Sequence, residues 1–271
     1  MKDLTVIIPL HEYDDTIGNS LMNAIESVKK QENDDNNTSI IIVAKNDIVS
    51  LIKNKISKVK GIDILSNDGE TDFCSQINLG AANCKTKYFS ILEFDDAYAP
   101  KWFKNAAQYL NCDPSINICL PLNEYRNSEN GELISFGNEI VWASAFSNEL
   151  GVIDSECLET KYDFNMTGAI FDTNDFIEIG GLKPSIKVAF WYEFLLRATY
   201  KGLKIYVVPK FGYMHILNRE GSLMSQYTAT IDANEGIAWY NLAKREYPFK
   251  EDRKKVPNME LENNEINAVS Y

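Results

Sequence analysis

The chain has little positive charge, almost no histidine and no long apolar run. Its 271 residues hold 27 Lys and Arg against 39 Asp and Glu, a formal net charge of -12. A nucleic-acid partner needs a basic face to displace counterions, so this balance argues against one. It leaves room for the phosphates of a single nucleotide, because a metal ion can supply the local positive charge. No apolar stretch approaches the roughly 20 residues that span a bilayer, so no transmembrane segment is expected. Met1-Lys2-Asp3-Leu4 runs straight into a strand-like segment, without the charged lead and cleavage site of a signal peptide. The five cysteines, Cys74, Cys84, Cys112, Cys119 and Cys157, are odd in number and form no CxxC pair. Free thiols in a reducing, cytoplasmic setting are the expectation, and a zinc site has no support.

What is present reads as a globular α/β protein, 45% hydrophobic and 11% aromatic. Leu4 to Pro9 is a short β-branched run and predicts a buried strand. Ile17, Leu21, Ile25 and Val28 then repeat at helical spacing, with Asp15 or Thr16 as the expected N-cap. After a polar loop, Gln31 to Thr38, come a strand at Ser39 to Ala44, a helix at Ile48 to Val59 and a strand at Ile62 to Leu65. A helix from Asp72 to Ala82 leads to the strand Tyr88 to Leu92. This alternation predicts a parallel sheet covered by helices. Further on, strands are expected at Ile116 to Leu120, Ile134 to Phe136, Met166 to Phe171 and Lys204 to Val208, with helices at Phe190 to Tyr200 and Thr228 to Arg245. No internal repeat is visible. From Lys250 the chain is charged and rich in Asn, and reads as a loose tail.

Glu93-Phe94-Asp95-Asp96 follows the strand at Tyr88 to Leu92 directly. In open α/β sheets ligands bind beyond the carboxyl ends of the strands, so the cluster stands where a site is expected. Taken by itself it is equally a solvated acidic turn. Three carboxylates after an apolar strand are costly unless solvated, paired or bound to a cation, and oxygen clusters suit Mg²⁺ or Mn²⁺.

In order and spacing, several segments resemble the family 2 glycosyltransferases. They are Ile7-Ile8-Pro9-Leu10-His11-Glu12-Tyr13, Asn78-Leu79-Gly80, Leu92-Glu93-Phe94-Asp95-Asp96 and Pro100-Lys101-Trp102-Phe103. Later come Met166-Thr167-Gly168-Ala169, Ile179-Gly180-Gly181-Leu182, the helix Phe190 to Arg197, and Gly202 to Pro209. The likeness covers roughly residues 4 to 225. It implies a GT-A fold, a Rossmann-like mixed sheet flanked by helices. Residues 1–110 would be the nucleotide-sugar-binding half, 111–248 the acceptor half of the same domain, and 249–271 the tail. It further implies transfer of a hexosyl or pentosyl group from a UDP- or GDP-sugar to a glycan or glycoprotein hydroxyl, assisted by Mn²⁺ or Mg²⁺, in glycan biosynthesis.

The resemblance assigns roles to matched residues. Pro9, His11 and Tyr13 would line the base pocket, with Tyr13 stacked on the base. Asn78 would lie near the nucleotide or help position the strand, and Glu93 would contact the ribose. Asp95 would ligate the metal, Asp96 would be a second ligand or hold the loop, His215 would be a third ligand, and Arg219 would clamp phosphate oxygens. Trp142, Trp191 and Tyr192 would face the acceptor, as aromatic rings suited to sugar faces or, equally, as core.

Two departures stand out. Where the family carries paired acids that read the base edge, this chain has Ala44-Lys45-Asn46-Asp47, so Asp47 or Asn46 is the expected substitute. Where the family carries an acidic pair that includes the general base, this chain has Phe190-Trp191. Glu193 is the nearest acid on that helix and the expected base. It is also spaced to pair with Arg197. A base from elsewhere (Asp163 or Glu124), a retaining course, or an inactive nucleotide-sugar- or glycan-binding module are the other readings. A sugar-phosphate nucleotidyltransferase is disfavoured, because the loop Leu10 to Asp15 is acidic and has no Gly.

Overall fold

The computed structural model describes residues 3–32, 38–69, 72–217, 219, 222 and 229–247. The expected tail at 249–271 lies outside the described residues. Leu4–Leu10 forms β1, Ser39–Lys45 β2, Ile62–Asn67 β3 and Tyr88–Ile91 β4. Between them lie α1 (Asp15–Lys29), α2 (Val49–Lys55) and α3 (Phe73–Ala82). β1 pairs parallel with both β2 and β4, and β2 with β3. Every residue of β1 is buried, as a strand covered on both faces requires. Its side chains alternate: Leu4, Val6, Ile8 and Leu10 join the apolar cluster with α1, while Ile7 joins the opposite cluster with α3.

Local chemistry sets the element ends. The Asp14 carboxylate accepts the Ile17 N–H (2.7 Å), so α1 is capped one residue earlier than expected. Ile17, Leu21, Ile25 and Val28 are buried, as their spacing predicts. The helix expected at Ile48 to Val59 is a 3-10 turn, Asn46–Ile48, followed by the shorter α2.

The rest of the chain supplies β5 (Ala97–Tyr98), α4 (Trp102–Cys112), β6 (Ile116–Asn127), β7 (Leu133–Gly137), α5 (Ser155–Thr160) and β8 (Ile170–Asp172). Then come α6 (Thr173–Glu178), α7 (Phe190–Tyr200), β9 (Lys204–Leu217) and α8 (Ala233–Glu246). The described strands form one nine-stranded sheet in the order β3-β2-β1-β4-β8-β6-β9-β5, with β7 on β6. Helix α4, not anticipated from the sequence, buries Trp102, Phe103, Ala106 and Leu110.

Strand β9 runs well past its expected end and bends. Leu120 pairs with Val207 but Leu122 with Phe211, so Val208-Pro209-Lys210 stand opposite Pro121 alone. Such a bulge re-aims the strand. Beyond it, β9 pairs with β5, Tyr98 opposite Tyr213 and Ala97 opposite Met214. The strand expected at Met166 to Phe171 begins only at Ile170. Gly168 has a left-handed φ of +80° and its N–H donates to the Ile91 carbonyl (2.8 Å), which makes a turn. A β-carbon on Gly168 would stand 2.5 Å from the Tyr213 ring.

Gly168→Ala therefore combines backbone strain with a clash. A stability loss on the order of 3 kcal/mol is expected from urea denaturation.

Candidate active site

Leu92 and Phe94 point inward and are buried, which turns Glu93 and Asp95 toward a cleft at the end of β4. The Asp96 N–H donates to the Glu93 carbonyl (3.1 Å) and closes a tight turn. The Glu93 N–H donates to the Tyr213 hydroxyl (3.1 Å), which ties this turn to β9. Asp96 is 3% exposed. Its Oδ1 accepts the Ile216 N–H (2.8 Å), and its Oδ2 lies 2.7 Å from His215 Nδ1. One ligand atom each from Glu93, Asp96 and His215 lies within 4.8 Å of the others. Asp95 faces the other way, with Oδ2 accepting from Arg219 Nε at 2.5 Å. The Arg219 guanidinium also rests on the Phe94 ring, 4.7 Å from its centroid.

The cluster is short of positive charge. Burial, then the Asp96 carboxylate, push the Glu93 carboxyl above the usual range, and the same causes raise Asp95. Burial alone would lower His215, but the adjacent Asp96 carboxylate outweighs it and raises the imidazole to about 9. Two carboxylates and an imidazole converging from a turn and a strand fit a hard divalent cation such as Mn²⁺ or Mg²⁺. A bound cation would supply the missing charge.

The cleft holds about 650 Å³ and is lined by Pro9, His11, Glu93, Asp95, Trp191, Tyr192, His215 and Arg219, all anticipated from the sequence. The other expected residues are placed as follows. Glu93 stands with Asp96 and His215 in a three-residue group, while Asp95 turns to Arg219. Tyr13 lies against α1, its hydroxyl 2.7 Å from where a Gly18 β-carbon would sit, and does not line the cleft. Asp47 sits in the 3-10 turn after β2 while Lys45 faces the cleft. Asn78 donates to the Leu182 carbonyl (2.8 Å) and accepts the Leu182 N–H (2.8 Å), which pins the Gly180-Gly181 turn. Trp142 packs against Tyr206, away from the cleft.

Glu193 differs most from expectation. It is fully buried and does not line the cleft. Its Oε1 and Oε2 accept from Arg197 (both 2.9 Å), and Lys183 Nζ stands 3.0 Å away. Arg197 also donates to the Ile179 and Gly181 carbonyls. The two carboxylate oxygens are thus occupied in holding α7 against the glycine turn. Residues the sequence did not single out for the cleft include Lys45, Gln76, Tyr125, Tyr162 and Tyr240. No spacing marks them. They come from five separate segments that only the folded chain brings together.

Two predictions follow from these charges. Folded His215 keeps its proton to about pH 9 and unfolded His to about 6.5, so its contribution is complete below 6.5 and is lost as pH rises through 9. The raised Glu93 acts in the same direction. In metal-free buffer the melting temperature should fall between pH 6.5 and 9, and His215→Gln should flatten that fall. Glu193→Ala leaves Arg197 buried without its counter-charge and should cost on the order of 3–5 kcal/mol in denaturant titrations. If Glu193→Gln lost turnover while keeping its melting temperature, Glu193 would return to the chemistry.

The family model for glycosyl transferase family 2 matches residues 5–152. Among curated proteins none matches the sequence. Among solved structures, S. aureus TarS 1-349 in complex with UDP-GlcNAc is similar with a TM-score of 0.67 and 16% identity, over 93% of this chain and 69% of that one. GalNAc-T7 with UDP, GalNAc and Mn2+ is similar with a TM-score of 0.65 and 16% identity, over 90% of this chain and 48% of that one. A further S. aureus TarS structure gives a TM-score of 0.59 at 15% identity, over 90% of this chain and 42% of that one. At such identities the structural likeness speaks for the fold, which is GT-A. No described helix is long and apolar enough to cross a membrane. With more than half its length matched by the family model, the chain belongs to glycosyl transferase family 2.

Proposed function

We propose that the protein is a metal-dependent glycosyltransferase that moves a sugar from a nucleotide-sugar, a UDP- or GDP-sugar, to a hydroxyl of a glycan or glycoconjugate. The observation that carries this is the convergence of Glu93, Asp96 and His215 at the end of β4, inside a cleft of nucleotide-sugar size. S. aureus TarS with UDP-GlcNAc and GalNAc-T7 with UDP and Mn2+ support the class of donor and cation.

Glu93, Asp96 and His215 would hold Mn²⁺ or Mg²⁺, which as a Lewis acid neutralises charge on the departing nucleoside diphosphate. Asp95 holds Arg219 over the cleft, and the guanidinium presents paired donors to phosphate oxygens. Pro9, His11 and Lys45 line the same cleft near the carboxyl ends of β1 and β2, where the base would lie. Trp191, Tyr162, Tyr192 and Tyr240 line the same cleft from the acceptor half. The three tyrosines touch one another, with ring centroids 5.1–6.1 Å apart. Aromatic faces of this kind stack on the apolar faces of sugar rings, which favours a carbohydrate acceptor.

A binding module without turnover is the second reading, favoured by Phe190-Trp191 and by the locked Glu193. Calorimetric titration with UDP, GDP and their sugars, with and without Mn²⁺, separates the cases. Binding that needs Mn²⁺, followed by release of nucleoside diphosphate, supports the transferase. Binding without any release supports the module. Asp96→Ala should remove the Mn²⁺-dependent part of UDP or GDP binding, and an unaltered isotherm would detach the metal from this triad.

A further inference from the structure

We propose that Asp163 is the general base of the transfer, taking the proton from the acceptor hydroxyl. This rests on the transferase reading above. Among the described residues, four carboxylates line the cleft: Asp72, Glu93, Asp95 and Asp163. Asp72 caps α3 by accepting the Ser75 N–H (3.0 Å). Glu93 stands with Asp96 and His215, and Asp95 holds Arg219. Asp163 alone among the four makes no hydrogen bond or ion pair to another described residue, and it is exposed to the cleft.

Its place suits the task. Tyr125 and Tyr240 both feel the Asp163 charge, which raises each phenol further above its ordinary range. The Tyr125 ring meets the His215 ring edge-on at 5.6 Å, and both line the same cleft as Asp163. Tyr240 belongs to the tyrosine wall that also includes Tyr162, the residue before Asp163. The carboxylate therefore shares one cleft with His215 and with the aromatic acceptor wall. Its loop is pinned two residues on. Asn138 donates to the Asn165 carbonyl (2.9 Å) and accepts the Asn165 N–H (3.0 Å), and buried Phe164 anchors the intervening position. A base needs such fixed support.

The step balances simply. The acceptor oxygen bonds to the anomeric carbon as the bond from that carbon to the phosphate oxygen breaks. The electron pair leaves with the nucleoside diphosphate. The acceptor proton passes to Asp163 and later to water. The same carboxylate can take a proton from water in donor hydrolysis.

The test uses the full chain with Mn²⁺ and UDP-glucose, UDP-GlcNAc, UDP-galactose or GDP-mannose. Release of UDP or GDP is followed with water, and with methyl glycosides as acceptors. UDP and GDP affinity and melting temperature are measured beside it. Asp163→Asn should keep the melting temperature and nucleotide affinity of the wild type and lose release on the order of 10²-fold or more. Undiminished release would overturn the assignment, as would loss of nucleotide affinity together with release. A wild type that binds nucleotide but turns over none of these mixtures would overturn it too, since no working base would exist. A wild type that binds no nucleotide refutes the donor-site reading itself, and Asp163 falls with it.

Discussion

The hydrogen bond between His215 and Asp96 joins the two parts of the chain that make the cleft, and much of the fold serves to bring it about. Asp96 lies in the turn after β4, a central parallel strand. His215 lies near the end of β9, on the far side of β8 and β6 in the sheet order. β9 stays beside β6 to its end, with His215 opposite Tyr125. The bulge around Pro209 shifts its register so that it also pairs with β5, and Gly212 lets it pass close over Trp102 and Pro121, where a β-carbon would stand 2.5–2.7 Å from both. Tyr213 then meets the Gly168 turn on one side and receives the Glu93 N–H on the other. Buried Trp102 braces the same place through its indole N–H to the Gly168 carbonyl (2.8 Å). Two glycines, one bulge and two large aromatics thus position one imidazole.

The first half of the fold was legible because periodicity reports burial. The Leu4 to Pro9 run, the Ile17 to Val28 spacing and the apolar run before Glu93 each correspond to an element in the structure. The acidic cluster was legible because it follows directly on such a strand. The division of labour inside it was not. Glu93 and Asp95 are two residues apart and chemically alike, and what separates them is the arrival of His215 on one side and Arg219 on the other. The length of β9 was hidden for a related reason. Pro209, Gly212 and a polar following stretch read as the end of a strand, whereas here they are the device that bends it.

Helix α7 shows how a lost acid can leave a fold intact. Its exact span, Phe190–Tyr200, follows from its apolar spacing. Glu193 and Arg197 form a buried pair whose guanidinium also satisfies the Ile179 and Gly181 carbonyls, and Asn78 clamps Leu182 beside them. The glycine turn is held from both halves of the chain. With that clamp supplied by Glu193 and Arg197, the first turn of the helix is free to present Phe190 and Trp191 to the cleft. Their rings pack with Phe73 at 5.7 and 5.9 Å, so they extend a wall that begins on α3. Spacing placed Glu193 near the chemistry, and burial removed it.

The charge of the cleft has a consequence for how its ligands combine. Glu93, Asp95 and Asp163 face a space in which the described cationic side chains are Lys45, His215 and Arg219. Arg219 is already engaged by Asp95, and His215 by Asp96. A nucleoside diphosphate entering alone would meet the field of these carboxylates across a partly buried space, where charges interact more strongly than in water. On the proposed reading, a divalent cation would remove that penalty and leave Arg219 to exchange its carboxylate for phosphate. The diphosphate would supply that cation with oxygen ligands beyond those of the triad. Each ligand would then raise the affinity of the other by the same factor, as linkage requires. In an acidic cleft of this kind, donor affinity and metal affinity would be two readings of a single coupling.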